Sequence, residues 1–192
     1  MTDPLKPGQT IGILGGGQLG RMLAMAAARL GFHVQVFEPG AAPPASEVAQ
    51  KTYSADYSDA SALDAFAEAV DVVTYEFENV PTEALDRIEA KVPIRPNRRA
   101  LAVSQDRLEE KKFLNEIGLT TAAFAPVHCG APDAAGELAQ GLVDVGLPAI
   151  LKTRRFGYDG KGQARIKDAH GAPAALDAMK EADAVLEGFV SF

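Results

Sequence analysis

The sequence has very little cysteine, little histidine and no long apolar run. Its single cysteine, Cys129, excludes an internal disulfide framework and fits a reducing compartment. The histidines His33, His128 and His170 are scattered without cysteine or acidic partners at ligand spacing, so we predict no zinc site. No apolar run approaches the roughly 18 residues of a membrane span, and no signal-peptide core precedes the first strand. We therefore expect a cytoplasmic protein with no membrane partner.

Positive charge is also in short supply. The 192 residues include 19 Lys and Arg against 26 Asp and Glu, which gives a net charge of -7. This balance argues against nucleic acid or an anionic membrane as the main partner. The hydrophobic fraction of 47% is that of an ordinary globular protein with one good core or two small ones. Against this acidic background, the basic cluster at 152–161 stands out.

The first part of the chain alternates between strands and helices. Residues 10–14 and 33–37 are predicted strands on either side of a helix ending at Leu30, and such a βαβ unit implies a parallel sheet. A loop over 39–46, a helix from Asp59 capped by Ser58, and a strand at 71–75 follow. The pattern predicts a doubly wound α/β layer over residues 1–96.

The second part has a different pattern. Residues 97–121 are predicted as a helical linker, in which Ser104 would cap a helix. Residues 122–192 read as an α+β module, with antiparallel strands at 149–153 and 163–166 on either side of a glycine-rich loop. Apolar residues run to Phe192 directly after the last strand, which predicts that this module is truncated.

The first glycine-rich segment is Gly15-Gly16-Gly17-Gln18-Leu19-Gly20, between a strand and a helix. This spacing predicts an anion site, because a helix N-terminus offers unpaired N–H groups and glycine allows a phosphate to approach the backbone. Glu38 could serve as the ribose-binding acid of a dinucleotide fold, so an NAD-dependent oxidoreductase is an alternative. A turn kept only for tight helix–strand packing is the other interpretation.

Three further groups of polar residues are candidates. Glu76 and Glu78 follow a strand and share a face if the chain stays extended, where they could bind ribose hydroxyls or an amine; a solvated strand end is the alternative. Lys152 ends an apolar strand and faces the second glycine-rich loop, which favours phosphate binding. The helix at 106–112 is interpreted as a mostly solvated face, on which the charge pattern assigns Arg107 no role.

The second glycine-rich loop is Gly157-Tyr158-Asp159-Gly160-Lys161-Gly162-Gln163. Its glycines and the surrounding basic residues predict a loop that covers a polyphosphate, since backbone N–H groups and cations meet the charge. A hairpin turn with solvated charges is the alternative interpretation.

In combination, these motifs resemble the amino-terminal half of an ATP-grasp enzyme, and the match covers the whole chain. The motif containing residues 15–20, combined with that containing 152–163, resembles the 5-(carboxyamino)imidazole ribonucleotide synthases of purine biosynthesis. The resemblance implies a pre-ATP-grasp domain at 1–96 followed by an incomplete ATP-grasp small subdomain at 122–192. The motifs that carry it are residues 15–20, 105–107, 150–152, 157–163 and 186–190.

The resemblance implies a reaction and a set of site residues. ATP would phosphorylate bicarbonate to carboxyphosphate, whose carbon passes to the amine of 5-aminoimidazole ribonucleotide with release of ADP and phosphate. Lys152 and Tyr158 would serve catalysis. The residues implied to bind ATP are Arg107, Lys152, Gly157, Tyr158, Asp159, Gly160, Lys161, Gly162, Gln163, Glu187, Gly188, Phe189 and Val190. Those implied to bind the ribonucleotide are Gly17, Gln18, Leu19 and Glu76.

The same resemblance implies what these residues do not supply. The magnesium-binding carboxylates of the family belong to its carboxyl half, so we expect the magnesium ligands outside this chain and no turnover by these residues alone. The family also implies a homodimer at full length. If the natural chain ended at Phe192, a non-catalytic nucleotide-binding module would be the prediction.

Overall fold

The computed structural model describes residues 4–157 and 161–191. Contacts divide the chain into two compact units, Met1–Ala102 and Val103–Phe192, each with its own sheet. Within the described ranges, no helix has both the length and the apolar character needed to cross a membrane. The linker proposed over 97–121 contains two helices, α4 (Arg98–Ser104) and α5 (Arg107–Glu116), and its assignment as a linker stays a prediction.

The first unit is built on a four-stranded parallel sheet. The order of the strands is β3-β2-β1-β4, and every neighbouring pair is parallel. The strands are β1 (Thr10–Leu14), β2 (His33–Phe37), β3 (Lys51–Tyr53) and β4 (Val72–Tyr75). The helices that accompany them are α1 (Gln18–Arg29), α2 (Ala60–Glu68) and α3 (Thr82–Glu89). The predicted doubly wound layer is confirmed.

Both faces of this sheet are buried. Adjacent residues of β1 point to opposite sides, so Ile13 packs with Ala24 of α1 while Leu14 packs in a cluster with Phe37 and Phe66. A parallel sheet covered on both faces needs strands that are apolar at consecutive positions, as β1 is. Burying a side chain such as Phe66, which is 0% exposed, contributes about 2 to 3 kcal/mol.

The second unit has an antiparallel sheet in the order β5-β8-β6-β7. Its strands are β5 (Phe124–His128), β6 (Ala149–Thr153), β7 (Gln163–Ile166) and β8 (Asp183–Gly188). The helices α6 (Ala134–Val145) and α7 (Ala172–Met179) cover one face, where Leu151 and Leu186 are opposite each other and fully buried. The other face carries Ile150, Lys152 and Glu187. The antiparallel pairing of β6 with β7 across the glycine-rich loop was predicted and is confirmed.

Two predicted helix caps are wrong. Asp59, not Ser58, caps α2 by accepting hydrogen bonds from two N–H groups of its first turn. Asp106, not Ser104, caps α5 in the same way, and Ser104 instead ends α4. A carboxylate combines the capping hydrogen bonds with a favourable interaction with the positive end of the helix, which explains why aspartate takes both positions.

Two short elements are not evident in the sequence pattern. The loop predicted over 39–46 is interrupted by a 3-10 turn at Pro44–Glu47. The edge strand β3, Lys51–Tyr53, pairs with β2 but contains only three residues, too few for an alternation of apolar and polar positions to be recognised.

Candidate functional site

The first glycine-rich loop connects the carboxyl end of β1 to the start of α1. Gly15 has a φ of +105, a conformation that favours glycine. A Cβ atom added to Gly20 would lie 2.5 Å from the carbonyl oxygen of Gly15, a distance that neither backbone can accommodate. Tight packing therefore requires glycine at these two positions, whatever the loop binds.

Two carboxylates from neighbouring strands hold this loop. Glu38, after β2, accepts a hydrogen bond of 2.8 Å from the N–H of Gly16 and one of 3.1 Å from the N–H of Gly40. Glu76, after β4, accepts one of 3.0 Å from the N–H of Gly17. Because β2 and β4 lie on either side of β1, these carboxylates hold the loop by hydrogen bonds from both sides. Glu38 thus binds backbone in this structure, rather than standing open for a ribose.

The structure brings the four residues implied for ribonucleotide binding to one end of the sheet. Gly17 and Glu76 are in direct contact, and Gln18 and Leu19 are exposed in the first turn of α1. The N–H groups at the start of a helix have no intrahelical acceptor, so this turn can donate to an anion. The expected alternation does not reach Glu78, because β4 ends at Tyr75 and a turn follows at 78–79.

Tyr57 is a candidate that the sequence pattern does not indicate. Its ring stacks on Phe37 at 5.4 Å between centroids, and among the described residues its buried hydroxyl has no hydrogen-bond partner. Burial, with the negative charges of Glu38 and Glu76, raises the pKa of Tyr57 above its ordinary value. The hydroxyl therefore stays protonated and can donate a hydrogen bond to a ligand or to water at this end of the sheet.

In the second unit, a cavity of about 480 Å³ opens on the face of the sheet that α6 and α7 leave uncovered. It is lined by residues from β6, β8 and the segments beside them, namely Ala122, Ile150, Lys152, Glu187, Gly188, Phe189, Val190 and Ser191. Five of these eight residues belong to the set implied for ATP. The cavity combines an apolar floor with a few charged groups, which is typical of small-molecule sites.

The charged groups of the cavity are paired. Lys152 Nζ lies 2.9 Å from Glu187 Oε2, and Lys111 Nζ lies 3.4 Å from the same oxygen. The Glu187 side chain is 11% exposed and that of Lys111 is 14% exposed. The helix face at 106–112, interpreted from the charge pattern as mostly solvated, therefore includes one largely buried side chain, Lys111, which lies against Glu187.

Asp106 and Arg154 form a clamp beneath Arg107. Arg154 donates to both carboxylate oxygens of Asp106, and its carbonyl oxygen accepts a hydrogen bond of 3.0 Å from the N–H of Arg107. Burial alone would raise the pKa of Asp106, but hydrogen bonds from Arg154 and from two N–H groups of α5 lower it. The Arg107 guanidinium in turn donates to the carbonyl oxygen of Gly157, at the start of the second glycine-rich loop.

Both ends of that loop close on Thr153. The N–H of Thr153 donates to Gly162 O at 2.8 Å, and Cβ atoms added to Gly157 or Gly162 would lie 2.9 Å and 2.5 Å from the Thr153 hydroxyl oxygen. Gln163 is the first residue of β7, and Lys161 is exposed. Tyr158, Asp159 and Gly160, which the resemblance places in the site, lie outside the described residues.

The segment after β8 uses part of its backbone internally. The N–H of Gly188 donates to Ala123 O at 2.9 Å, and the N–H of Phe189 donates to Pro148 O at 3.0 Å. The Phe189 ring also lies under the guanidinium of Arg165, 4.2 Å from its centroid. Arg165 thus contacts a residue that lines the cavity, although no motif indicates it.

No three His, Cys, Asp or Glu side chains of residues 4–157 and 161–191 come together as metal ligands.

The two parts of the chain match two known families. The family described as Ribonucleotide synthetase preATP-grasp domain matches residues 8–105, and the family described as ATP-grasp domain matches residues 112–192. The chain belongs to the ribonucleotide synthetase preATP-grasp family. The predicted ATP-grasp architecture, with its preATP-grasp domain first, is confirmed.

Several similar proteins are named as N5-carboxyaminoimidazole ribonucleotide synthases or synthetases. The chain is 50% identical over 190 residues to an N5-carboxyaminoimidazole ribonucleotide synthase of Brucella melitensis biotype 1, with 98% of this chain and 51% of the relative covered. It matches a crystal structure of an N5-carboxyaminoimidazole ribonucleotide synthetase in complex with ADP, at 36% identity and a TM-score of 0.91, over 100% of this chain and 50% of that one. It also matches the Aspergillus clavatus synthase in complex with ADP and 5-aminoimidazole ribonucleotide, at 29% identity and a TM-score of 0.83, over 97% and 48%.

The chain thus spans about half the length of the relatives it matches. The resemblance to the amino-terminal half of N5-carboxyaminoimidazole ribonucleotide synthases, predicted from the motifs, is confirmed. The comparisons support neither an NAD-dependent oxidoreductase nor a non-catalytic module.

Proposed function

We propose that this chain is the amino-terminal half of an N5-carboxyaminoimidazole ribonucleotide synthase, with an ATP site in the second unit and a ribonucleotide site in the first. The observation that carries the proposal is Lys152 paired with Glu187 at 2.9 Å on the wall of a cavity of about 480 Å³. A lysine beside a partly apolar cavity suits a ligand with both a base and phosphates.

The cavity would hold the adenine end of ATP. The N–H groups of Gly188 and Phe189 are used within the protein, so the base edge would meet the N–H of Val190 and nearby carbonyl oxygens. Lys152 and Arg107 would extend toward the phosphates. The loop at 157–163 would close over them from its anchor on Thr153.

In the first unit, the opening turn of α1 would bind the 5′-phosphate of 5-aminoimidazole ribonucleotide through the N–H groups of Gln18 and Leu19. The N–H of Gly17 would also bind this phosphate once the Glu76 carboxylate leaves that N–H and turns to the substrate. Glu76 would then accept hydrogen bonds from ribose hydroxyls or the amine.

The reaction would proceed in two transfers. An oxygen of bicarbonate attacks the γ-phosphorus of ATP, forming carboxyphosphate as the bond to ADP breaks. The exocyclic amine then attacks the carboxyl carbon, phosphate departs, and the amine loses a proton. The described residues would contribute by positioning the substrates and by neutralising the negative charge of the phosphates, as in phosphoryl transfer generally.

The same proposal includes magnesium, dimerisation and location. Magnesium would neutralise the ATP phosphates, with ligands from the carboxyl half of the family's fold. The full-length protein would be a cytoplasmic homodimer whose partners are small molecules, without nucleic acid or membrane.

The test is ADP formation by the full-length protein. We expect ADP release to require both bicarbonate and 5-aminoimidazole ribonucleotide, and Lys152→Met to reduce kcat/KM at least a hundredfold, since a charge-assisted phosphate contact would be lost. Release of ADP without any dependence on the ribonucleotide would contradict the assignment.

A second measurement separates nucleotide classes. MgATP should slow tryptic cleavage after Arg155, just before the loop, and after Lys161 within it, because a ligand that binds the folded state stabilises it against opening. NAD should give no such protection. Protection by NAD alone would favour the oxidoreductase interpretation.

A further inference from the structure

Lys111 differs from its neighbour Lys112 in its surroundings. The Lys112 side chain is 56% exposed and pairs with Glu109 on the same helix. The Lys111 side chain is 14% exposed and lies 3.4 Å from Glu187 Oε2, and its ammonium group is 5.8 Å from the centre of the Phe124 ring. Of these two adjacent lysines, Lys112 is solvated and Lys111 is largely buried.

The packing of α5 explains this placement. Leu108, which is 3% exposed, anchors the helix, and Lys111 follows it by three positions and so shares its face. In the sheet, Phe124 of β5 is directly opposite Glu187 of β8. Lys111 therefore passes over Phe124 to reach the Glu187 carboxylate.

Two ammonium groups share one oxygen of this carboxylate. Lys152 is 2.9 Å and Lys111 is 3.4 Å from Glu187 Oε2, so the three side chains together carry one net positive charge. With Lys152 alone as partner, any ligand phosphate that drew Lys152 away would leave a largely buried carboxylate unpaired. An unpaired buried charge is strongly unfavourable.

We propose that Lys111 is a positioning residue that acts through Glu187. It holds the Glu187 carboxylate in place while Lys152 turns to a phosphate of the bound nucleotide. Glu187 therefore keeps one ion-pair partner when Lys152 leaves it. This inference rests on the proposed ATP site and adds to it a residue that does not itself contact the nucleotide.

The test compares Lys111→Met with Lys112→Met in the full-length protein. Both remove one positive charge from α5, and only the first removes the contact with Glu187. We expect Lys111→Met to raise the KM for ATP about tenfold, a size typical of coupled ion networks, with the KM for the ribonucleotide unchanged. Lys111→Arg should restore most of the affinity, and Lys112→Met should behave as wild type.

A double-mutant cycle tests the route of the effect. If Lys111 acts through Glu187, then Lys111→Met should change the KM for ATP less than twofold in a Glu187→Gln background. An undiminished tenfold effect in that background would overturn the proposal, and so would an unchanged KM in Lys111→Met alone. Should Lys111→Met fail to fold, Lys111→Gln gives the same comparison.

The controls separate this inference from the proposed function. If wild-type protein releases no ADP and calorimetry detects no binding of MgATP, the proposed function itself fails. If wild-type protein binds MgATP and Lys111→Met binds it equally well, only the role of Lys111 fails.

Discussion

The N–H group of Gly17 donates a hydrogen bond of 3.0 Å to Oε1 of Glu76, a residue 59 positions later in the sequence. A carboxylate therefore occupies a donor of the loop that the motif assigns to a phosphate. For a phosphate to bind there, Glu76 must release Gly17, and the released carboxylate becomes available to polar groups of the same ligand.

Glu76→Gln tests this relationship. Glutamine keeps an acceptor for Gly17 but lacks the charge, so it should bind the amine and ribose hydroxyls of the ribonucleotide less well. We expect the KM for 5-aminoimidazole ribonucleotide to rise about tenfold, equivalent to roughly 1.4 kcal/mol, in steady-state assays of the full-length protein. Glu89→Gln, at an exposed position of α3, makes the same charge change and should have no effect. Equal KM values for both variants would contradict the role of Glu76.

Gly20→Ala should destabilise the first unit. The new Cβ would lie 2.5 Å from the Gly15 carbonyl oxygen, so either the helix or the loop must shift. We expect a loss of about 2 to 3 kcal/mol of unfolding free energy in urea denaturation, in the range for overpacking. Gly40→Ala is the control, because its Cβ would be 3.4 Å from the nearest atom, the Glu38 carboxylate oxygen, and it should stay within about 0.5 kcal/mol of wild type. A normal stability for Gly20→Ala would show that the backbone adjusts freely.

Asp106→Asn should lower the free energy of unfolding of the second unit and make it less dependent on pH in the acid range. Burial alone would raise the pKa of Asp106, but hydrogen bonds from Arg154 and α5 outweigh it and lower the pKa below the ordinary value of 3.8. Ionised Asp106 therefore stabilises the folded state above pH 3.8, and this stabilisation is lost as the pH falls through the folded-state pKa. We expect the variant to lose about 3 kcal/mol at pH 7.

Measuring unfolding at a series of pH values shows whether the lost stability comes from the ionised Asp106 carboxylate. The difference in unfolding free energy between wild type and Asp106→Asn should shrink as the pH is lowered below about 4. Asp177→Asn, on the exposed side of α7, should match wild type at every pH. A difference that stays constant down to pH 2 would exclude the ionised carboxylate as its source.

Tyr57→Phe separates stability from binding. The Tyr57 hydroxyl is buried without a hydrogen-bond partner among the described residues, so its removal should leave stability unchanged or raise it by about 1 kcal/mol. If the hydroxyl donates to the ribonucleotide, the KM for that substrate should rise about fivefold while the KM for ATP stays the same. A marked loss of stability would reveal that the hydroxyl is satisfied by water.

Much of the architecture could be predicted because it follows local patterns. The strand at Thr10–Leu14, the glycine turn after it and the helix that follows are each encoded within a few residues, and such a unit has one common handedness. The short edge strand β3 could not be predicted, since its three residues gain their structure only by pairing with β2. The caps of α2 and α5 were assigned to the wrong residues because several polar side chains near the start of each helix could accept the N–H groups of its first turn.

The sequence by itself determined the order of elements, the positions of both glycine-rich loops and Lys152 as the charged end of an apolar strand. Only the tertiary structure decided which groups distant in the sequence meet: the Glu76 carboxylate with the backbone N–H of Gly17, Arg154 with Asp106, and Lys111 with Glu187. The charge pattern placed Lys111 in a helix segment interpreted as mostly solvated, and its burial depends on the pairing of β5 with β8, which brings Phe124 and Glu187 together. The physical reason is that backbone preferences act between near neighbours, whereas ion pairs and burial depend on contacts between residues far apart in the chain.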